Sequence, residues 1–422
     1  MRHFRSTLLA LLIGIVVTVS GSAAEDENPF VQQAVSRHFG DGASGEQLLW
    51  RPGYPGGAAV VVVLPPPATK PFFFSYGCAV GTQETDSGPC QVSTEGQNAA
   101  PMSSTSVFNL ASVGKLFTAL ILAHTTQMNL TDSPSKYMAD LTGACIKSKT
   151  LGEIVSQSSG LPAYPDSQTC PHPPKGQPYD YATYIANLNC WGNSPSSCPP
   201  VAPQPAFYLY SNDGFMLLRL VLAKSLNTPF PSLVGQFASA VFMRQTSMPI
   251  GQLPASAVQG YSCYDPRETE EGVESGCDGH PVSVQDELSN TFYNDNDGNG
   301  GQVWSTANDM SVIAQLSVGQ LGFLPLGWRQ AMTTTEQILF QGCGQNARTC
   351  NPPYPYEVGM AWQKSTQNGT TILGKNGGVP FSSTYIGLAP DRNLAVVVLV
   401  NRGQVDAAKA GQQILEDLAS QF

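Results

Sequence analysis

The placement of the β-forming runs constrains this chain most. Ala58-Ala-Val-Val-Val-Val-Leu64 is a β-branched stretch bounded by glycines and prolines, the pattern of a buried strand. Pro65 to Pro67 stop it, and Phe72-Phe-Phe-Ser-Tyr76 reads as its hairpin partner. Residues 357–363 read as another strand. Three further β runs, at 370–375, 383–388 and 393–400, lie near the other end of the chain, with turns that contain Gly377-Gly378 and Ala389-Pro-Asp-Arg-Asn393. A short helical pattern at 28–40 precedes the first strand, and an amphipathic pattern at 405–419 follows the last. Between the ends lie helical pieces at 151–156, 181–188, 213–225, 231–242 and 305–316, separated by long Pro-, Ser-, Asn- and Gly-rich stretches. Strands at both ends are buried most economically by pairing with one another. The predicted class is therefore α/β (α+β): an antiparallel sheet from both termini, flanked by helices, with a helical region inserted at about 130–300.

The first 24 residues read as a secretory signal. Arg2 and Arg5 form a positive start, residues 8–19 an apolar core, and Ser22-Ala-Ala24 a small-residue cleavage site. The apolar run is too short for a comfortable membrane span, and no later segment is long and apolar enough for one. The expected location is periplasmic or secreted, with residues 25–422 forming one domain. Net charge is −10, and without the leader 19 basic residues face 31 acidic ones. That balance argues against nucleic acid or an anionic membrane surface as partner.

Ten cysteines in an exported chain point to disulfides. Their order suggests local pairs: Cys78–Cys90, Cys145–Cys170, Cys190–Cys198, Cys263–Cys277 and Cys343–Cys350. A cysteine metal site is disfavoured, since no Cys-x-x-Cys occurs and the five histidines are scattered. Asp295-Asn-Asp-Gly-Asn-Gly300 looks like a calcium loop, but position twelve is Thr306, not a bidentate glutamate, so a turn is preferred. No metal or cofactor is expected.

The stretch Phe108-Asn-Leu-Ala-Ser-Val-Gly-Lys-Leu-Phe117 carries the chemistry. On a helix beginning near Ser112, Ser112 and Lys115 share a face. A serine hydroxyl is a weak nucleophile until a base takes its proton, and a lysine can do so if burial or nearby cations lower its pKa. The apolar run after Lys115 implies a buried helix whose start presents N–H groups to developing negative charge. On its own the pair also fits a helix start with a solvated lysine. Two later stretches extend it. In Tyr208-Leu-Tyr-Ser-Asn212, Tyr210 and Asn212 would point the same way on an extended segment, with the phenol as an acid or base, although Asn212 also fits a helix N-cap. In Gly374-Lys-Asn-Gly-Gly-Val379, Lys375 would be a cation ending an edge strand, and the glycines would let a substrate lie against the backbone.

In this order the three stretches resemble the motif set of the serine β-lactamases and penicillin-binding peptidases. The Tyr-x-Asn form is similar to the class C β-lactamases, the D-alanyl-D-alanine peptidases near them, and related esterases. Thr131-Asp-Ser-Pro-Ser-Lys-Tyr137 resembles the segment after the nucleophile helix. Gln157-Ser-Ser-Gly-Leu-Pro162 resembles a His-Thr-Ser-Gly-Leu-Pro stretch, with Gln157 where histidine is usual, and Gly301-Gln-Val-Trp-Ser-Thr-Ala-Asn-Asp-Met310 resembles the start of a later helix. The likeness runs over roughly residues 55–405 and implies a β-lactamase/transpeptidase-like fold.

The resemblance also implies roles. Ser112 would be the acylated nucleophile, and Lys115 and Tyr210 would share proton transfer. Asn212 would contact the substrate amide. Lys375 would lower the phenol pKa and attract a substrate carboxylate, with Asn376, Gly377 and Gly378 lining the substrate. The N–H groups of Ser112 and Gly378 would form the oxyanion hole. The family's third motif is usually Lys-Thr-Gly; Asn376 replaces a hydroxyl with an amide that can still donate. The expected activity is acyl transfer from D-alanyl-D-alanine-type peptides, with peptidoglycan as their source, or from β-lactams. A class C-type β-lactamase, a carboxylesterase and a non-catalytic, acylatable β-lactam sensor are the alternatives. A Ser-His-Asp hydrolase is disfavoured, since no Gly-x-Ser-x-Gly elbow is present.

Overall fold

A computed structural model describes residues 28–39, 49–50, 52–85, 88–92, 98–193, 207–262, 280–283, 287–288, 291–344 and 354–422. The expected leader at 1–24 lies outside them. The sheet does form from both ends of the chain. β1 (Pro55–Val63) pairs antiparallel with β2 (Phe72–Gln83) on one side. Its other neighbour is the last strand of the chain, with Val60 opposite Val398. β3 (Val107–Asn109) and β4 (Trp304–Thr306) form a separate antiparallel pair. From the C-terminal half, β5 (Phe340–Gly342), β6 (Tyr356–Val358), β7 (Gln363–Gln367), β8 (Thr370–Val379), β9 (Ser382–Ala389) and β10 (Leu394–Val400) continue the large sheet. Its order is β2-β1-β10-β9-β8-β7-β6-β5, with two short strands added at β2.

Both sheet faces are covered. All nine residues of β1 are buried, which is why the run reads as continuous valine rather than as alternation. Ala59, Val61, Val63, Val397 and Leu399 join the core that holds α2 (Lys115–His124) and most of the inserted helices. Ala58, Val60, Val62, Val396 and Val398 face α1 (Pro29–Ser36) and the C-terminal helix (Ala407–Ala419). The successive side chains of each strand thus divide between two cores.

Several expectations are corrected. The single strand at 357–363 is two, β6 and β7, because residues 359–362 turn the chain between them. β8 runs through the Gly-rich motif to Val379 instead of ending before a turn. It is an interior strand as far as Gly374, where its pairing with β7 stops; beyond that, among the described strands, only β9 pairs with it. Helix Leu326–Glu336 went unread because its apolar face is thin: only Ala331, Met332 and Thr335 are buried. α2 ends at His124. Helix Tyr181–Asn193 runs beyond the expected 188.

The disulfides also differ from nearest-neighbour order. Cys78–Cys90 forms as expected. Cys170 joins Cys190, which overturns Cys145–Cys170 and Cys190–Cys198. The helix carrying Cys190 packs beside the loop holding Cys170, as the bonds from Asn187 Nδ2 to Asp166 O and Pro171 O show, so spatial proximity overrides sequence order. Cys145 and Cys343 are disulfide-bonded too. Cys198, Cys263, Cys277 and Cys350 lie outside the described residues. The 295–300 segment is a turn: Asp295 accepts from Asn299 N, Asn299 Nδ2 and Tyr293 OH. Leu399→Ala, at a fully buried position of β10, is expected to destabilise the fold by about 2–5 kcal/mol, read by denaturant unfolding.

Candidate active site

The chain enters the site under strain. Ala111 sits at φ +47°, a left-handed conformation that costs a non-glycine residue about 1–3 kcal/mol. Neighbours hold it there. Ala111 N donates to Asn109 Oδ1 (2.8 Å), and Leu110 N donates to Val303 O (2.9 Å), just before β4. Ser382 Oγ and Thr384 Oγ1 of β9 donate to the carbonyls of Asn109 and Leu110, each at 2.8 Å. The Gly301–Met310 stretch thus braces the approach to Ser112 through β4. Thr306 caps the following helix and Asp309 accepts from Gln245 N and Thr246 Oγ1. A 3₁₀ turn, Ala111–Gly114, carries Ser112 into α2, which begins at Lys115. The i, i+3 spacing survives this correction, since 3₁₀ geometry also stacks those positions.

Lys115 is 7% exposed, and its Nζ has two oxygen partners: Ser112 Oγ at 3.0 Å and Asn212 Oδ1 at 2.6 Å. No carboxylate pairs with it among the described residues. Burial lowers its pKa well below the usual lysine value, and the cations Lys375 and Arg219 lower it further. The amine is thereby pushed toward its neutral, basic form.

Tyr210 and Asn212 reach the same place by a segment that runs into α3 (Asn212–Leu226). The N-cap is Ser211, whose Oγ accepts from Gly214 N at 2.7 Å. Asn212 therefore does not cap the helix, which leaves its side chain for Lys115. Gln157, itself at φ +61°, fixes the segment: its Oε1 accepts from Ser211 N (2.6 Å) and its carbonyl from Leu209 N (2.9 Å). An amide thus does a bracing job where the resemblance placed a histidine. Tyr210 OH donates to Ser112 Oγ at 2.6 Å. Both lysine side-chain nitrogens lie over its ring, Lys115 at 5.1 Å and Lys375 at 5.2 Å. The expected lowering of the phenol pKa is not found. Burial outweighs everything else and pushes it up to about 12, so Tyr210 stands as a protonated phenol.

β8 supplies the far wall. Lys375 is 7% exposed and its Nζ donates to Asn376 O at 2.8 Å; burial takes its pKa down to about 8. Lys375 and Gly377 share one face of the strand, and Asn376, which is exposed, takes the other. The glycines differ. A Cβ at Gly377 would lie 2.6 Å from Leu110 O and 2.9 Å from Ser112 N, whereas one at Gly378 would meet nothing within 4 Å. Gly377 lets the strand edge close on the Ser112 backbone, and Gly378 opens on the cavity.

That cavity has a volume of about 370 Å³ and takes in Ser112, Lys115, Asn212 and Gly378. It also takes in residues that the sequence reading missed: Tyr164, Met216, Arg219 and Phe292. Tyr164 and Phe292 meet edge to face at 5.6 Å on its rim. Arg219 had a usable signal, because it interrupts an apolar helix seven residues after Asn212 and so shares its face. Gly377→Ala is expected to displace the Ser112 backbone and lower acylation by at least about 10²-fold, the scale of one lost oxyanion donor, whereas Gly378→Ala is expected to retain most of it; stopped-flow acylation rates check both.

The family model described as Beta-lactamase matches residues 46–419. Among solved structures, a class C β-lactamase from Rhodobacter sphaeroides superposes with a TM-score of 0.61 at 20% identity, covering 87% of this chain and 95% of that one. A D-alanine carboxypeptidase from Burkholderia cenocepacia gives 0.64 at 18%, covering 92% and 99%. A β-lactamase/D-alanine carboxypeptidase from Pseudomonas syringae gives 0.62 at 17%, covering 92% and 98%. No helix among the described residues is long and apolar enough to cross a membrane. With a family match over most of its length and the β-lactamase/transpeptidase-like fold throughout, the chain belongs to the beta-lactamase family of serine hydrolases.

Proposed function

We propose that this protein is an exported acyl-transfer hydrolase that forms an acyl-enzyme on Ser112. Its substrates are peptides ending in D-alanyl-D-alanine, such as peptidoglycan stems, or β-lactams, with a carboxypeptidase as the leading form. One observation carries this reading: Ser112 Oγ is held between Lys115 Nζ at 3.0 Å and Tyr210 OH at 2.6 Å. A serine flanked by a desolvated amine and a phenol has both a proton acceptor and a proton donor in reach.

The steps follow from those distances. The neutral amine of Lys115 takes the Ser112 proton as Oγ bonds to the substrate carbonyl carbon. The carbonyl oxygen becomes an oxyanion received by the N–H groups of Ser112 and Gly378. When the intermediate collapses, the C–N bond breaks and Tyr210 gives its proton to the leaving amine. Lys115 returns a proton to the phenolate through the vacated space beside Oγ. Water then attacks the acyl carbon as Lys115 takes its proton; the C–Oγ bond breaks and Lys115 returns that proton to Ser112 Oγ, which frees the acid product. Asn212 holds Lys115 and the substrate amide, and Lys375 faces the substrate carboxylate. That a class C β-lactamase and a D-alanine carboxypeptidase share this fold supports both substrate classes.

Fluorescent penicillin followed by an unlabelled chase distinguishes the forms. Label that persists, and is lost in Ser112→Ala, is expected for the carboxypeptidase and equally for an acylated sensor; hydrolysis of D-alanyl-D-alanine peptides separates those two. Rapid turnover marks a β-lactamase. No label, with hydrolysis of simple aryl esters, marks an esterase and removes the carboxylate role from Lys375. Replacing Lys115 by methionine is expected to slow acylation by about 10²–10⁴-fold, the usual worth of a general base. The pH profile of kcat/KM carries a second expectation. Lys375 binds a carboxylate only while protonated, so with its pKa near 8 the rate falls as pH rises through about 8. Lys375→Arg, charged throughout, should move that alkaline limb upward, and a profile left in place would count against the role.

A further inference from the structure

α3 carries a cation that helps to keep Lys115 neutral but that no acyl-transfer step sets against the substrate. Asn212, Met216 and Arg219 lie on one face of the helix, at positions i, i+4 and i+7, and all three line the cavity that contains Ser112. Arg219 is 9% exposed and forms no ion pair among the described residues. Its Nη1 donates to Gly301 O at 2.9 Å, and its Nε stands 3.5 Å from Thr118 Oγ1. The guanidinium lies 5.2 Å from the centroid of the Phe230 ring. Those partners engage only two of the three nitrogens of a group with five donors; among the described residues the other terminal nitrogen has no hydrogen-bond partner. Burial lowers its pKa to about 10, so it stays charged at neutral pH.

A buried cation with no counter-charge is costly, and tying α3 to Gly301 would need only a neutral donor. A cation that lines the same cavity as Ser112 and the amide-binding Asn212 makes sense for a ligand that carries an anionic group on its acyl side. Long side chains on a helix lean toward its N-terminus, so the Arg219 head reaches back toward Asn212. Two helical turns separate the two residues, roughly 10 Å along the axis, and the length of the arginine closes much of that gap. A carboxylate a few bonds beyond the amide held by Asn212 would fall at the guanidinium.

We infer that Arg219 is a specificity-determining residue that selects acyl donors whose acyl-side chain ends in a carboxylate, so that the preferred substrate is anionic at both ends. This rests on the acyl-transfer reading of the same site, with Lys375 taking the other carboxylate.

The test is a binding measurement that needs no turnover. Ser112→Ala protein is titrated calorimetrically with N-glutaryl-D-alanyl-D-alanine and with N-pentanoyl-D-alanyl-D-alanine, which differ only in the terminal carboxylate. The glutaryl peptide is expected to bind at least about tenfold more tightly. Arg219→Gln on the same background should bring the two affinities to near parity, and Arg219→Lys should keep part of the preference. A purely structural role for Arg219 would weaken both peptides together and leave their ratio unchanged, which overturns the inference. Equal binding in the Ser112→Ala parent, or binding of neither peptide, overturns it as well. Labelling of the unsubstituted enzyme by fluorescent penicillin reports on the acyl-transfer reading separately, so failure of one is distinguishable from failure of the other.

Discussion

The site depends on keeping a lysine out of water. Lys115 begins a helix whose first eight residues are all buried, and its amine meets two neutral oxygens in place of a carboxylate. Desolvation alone would favour the neutral amine, and two neighbouring cations push the same way. A single carboxylate within ion-pair distance would reverse that preference and leave Ser112 beside a proton donor instead of a base. The surroundings of Lys115 are therefore as much a matter of what is absent as of what is present. Asn212 supplies a strong acceptor with no charge, and Ser211, not Asn212, caps the helix, which frees the amide for that task.

The rest of the fold holds three separate pieces of chain against that helix end. The double-sided sheet fixes β8 and β9; their hydroxyls and Gly377 press on the backbone just before Ser112. β4 fixes the same backbone from another direction. Gln157 fixes the segment that carries Tyr210. Positive φ angles at Ala111 and Gln157, both beside the chemistry, are what such over-determined surroundings can sustain.

Much of this was legible in the residues. The valine runs at 58–64 and 393–400 required strands buried on both faces, and their positions predicted a sheet closed between the ends of the chain. Ser112, Lys115, Tyr210 and Asn212 were legible as a constellation because their order and spacing matched a known motif set; each alone has an ordinary structural explanation. What the sequence could not show was decided by three-dimensional packing. Cys170 finds Cys190 because a helix lies beside its loop. β6 and β7 divide where residues 359–362 turn the chain, and no proline or hairpin dipeptide marks that turn. The phenol of Tyr210 is raised, not lowered, because burial outweighs the hydrogen bond to Ser112, which pulls it down. Arg219 was visible as one charge in an apolar helix, but only the cavity gives that charge a direction.

The most direct measurement is the titration of Lys115 itself. Protein carrying ¹³C-labelled lysine, with the Lys115 resonance assigned by comparison with Lys115→Arg, can be followed by NMR across neutral and alkaline pH. The Lys115 side chain should titrate well below the ordinary lysine value of 10.5. A midpoint at or above that value would mean a protonated ammonium beside Ser112, and the base would have to be sought elsewhere.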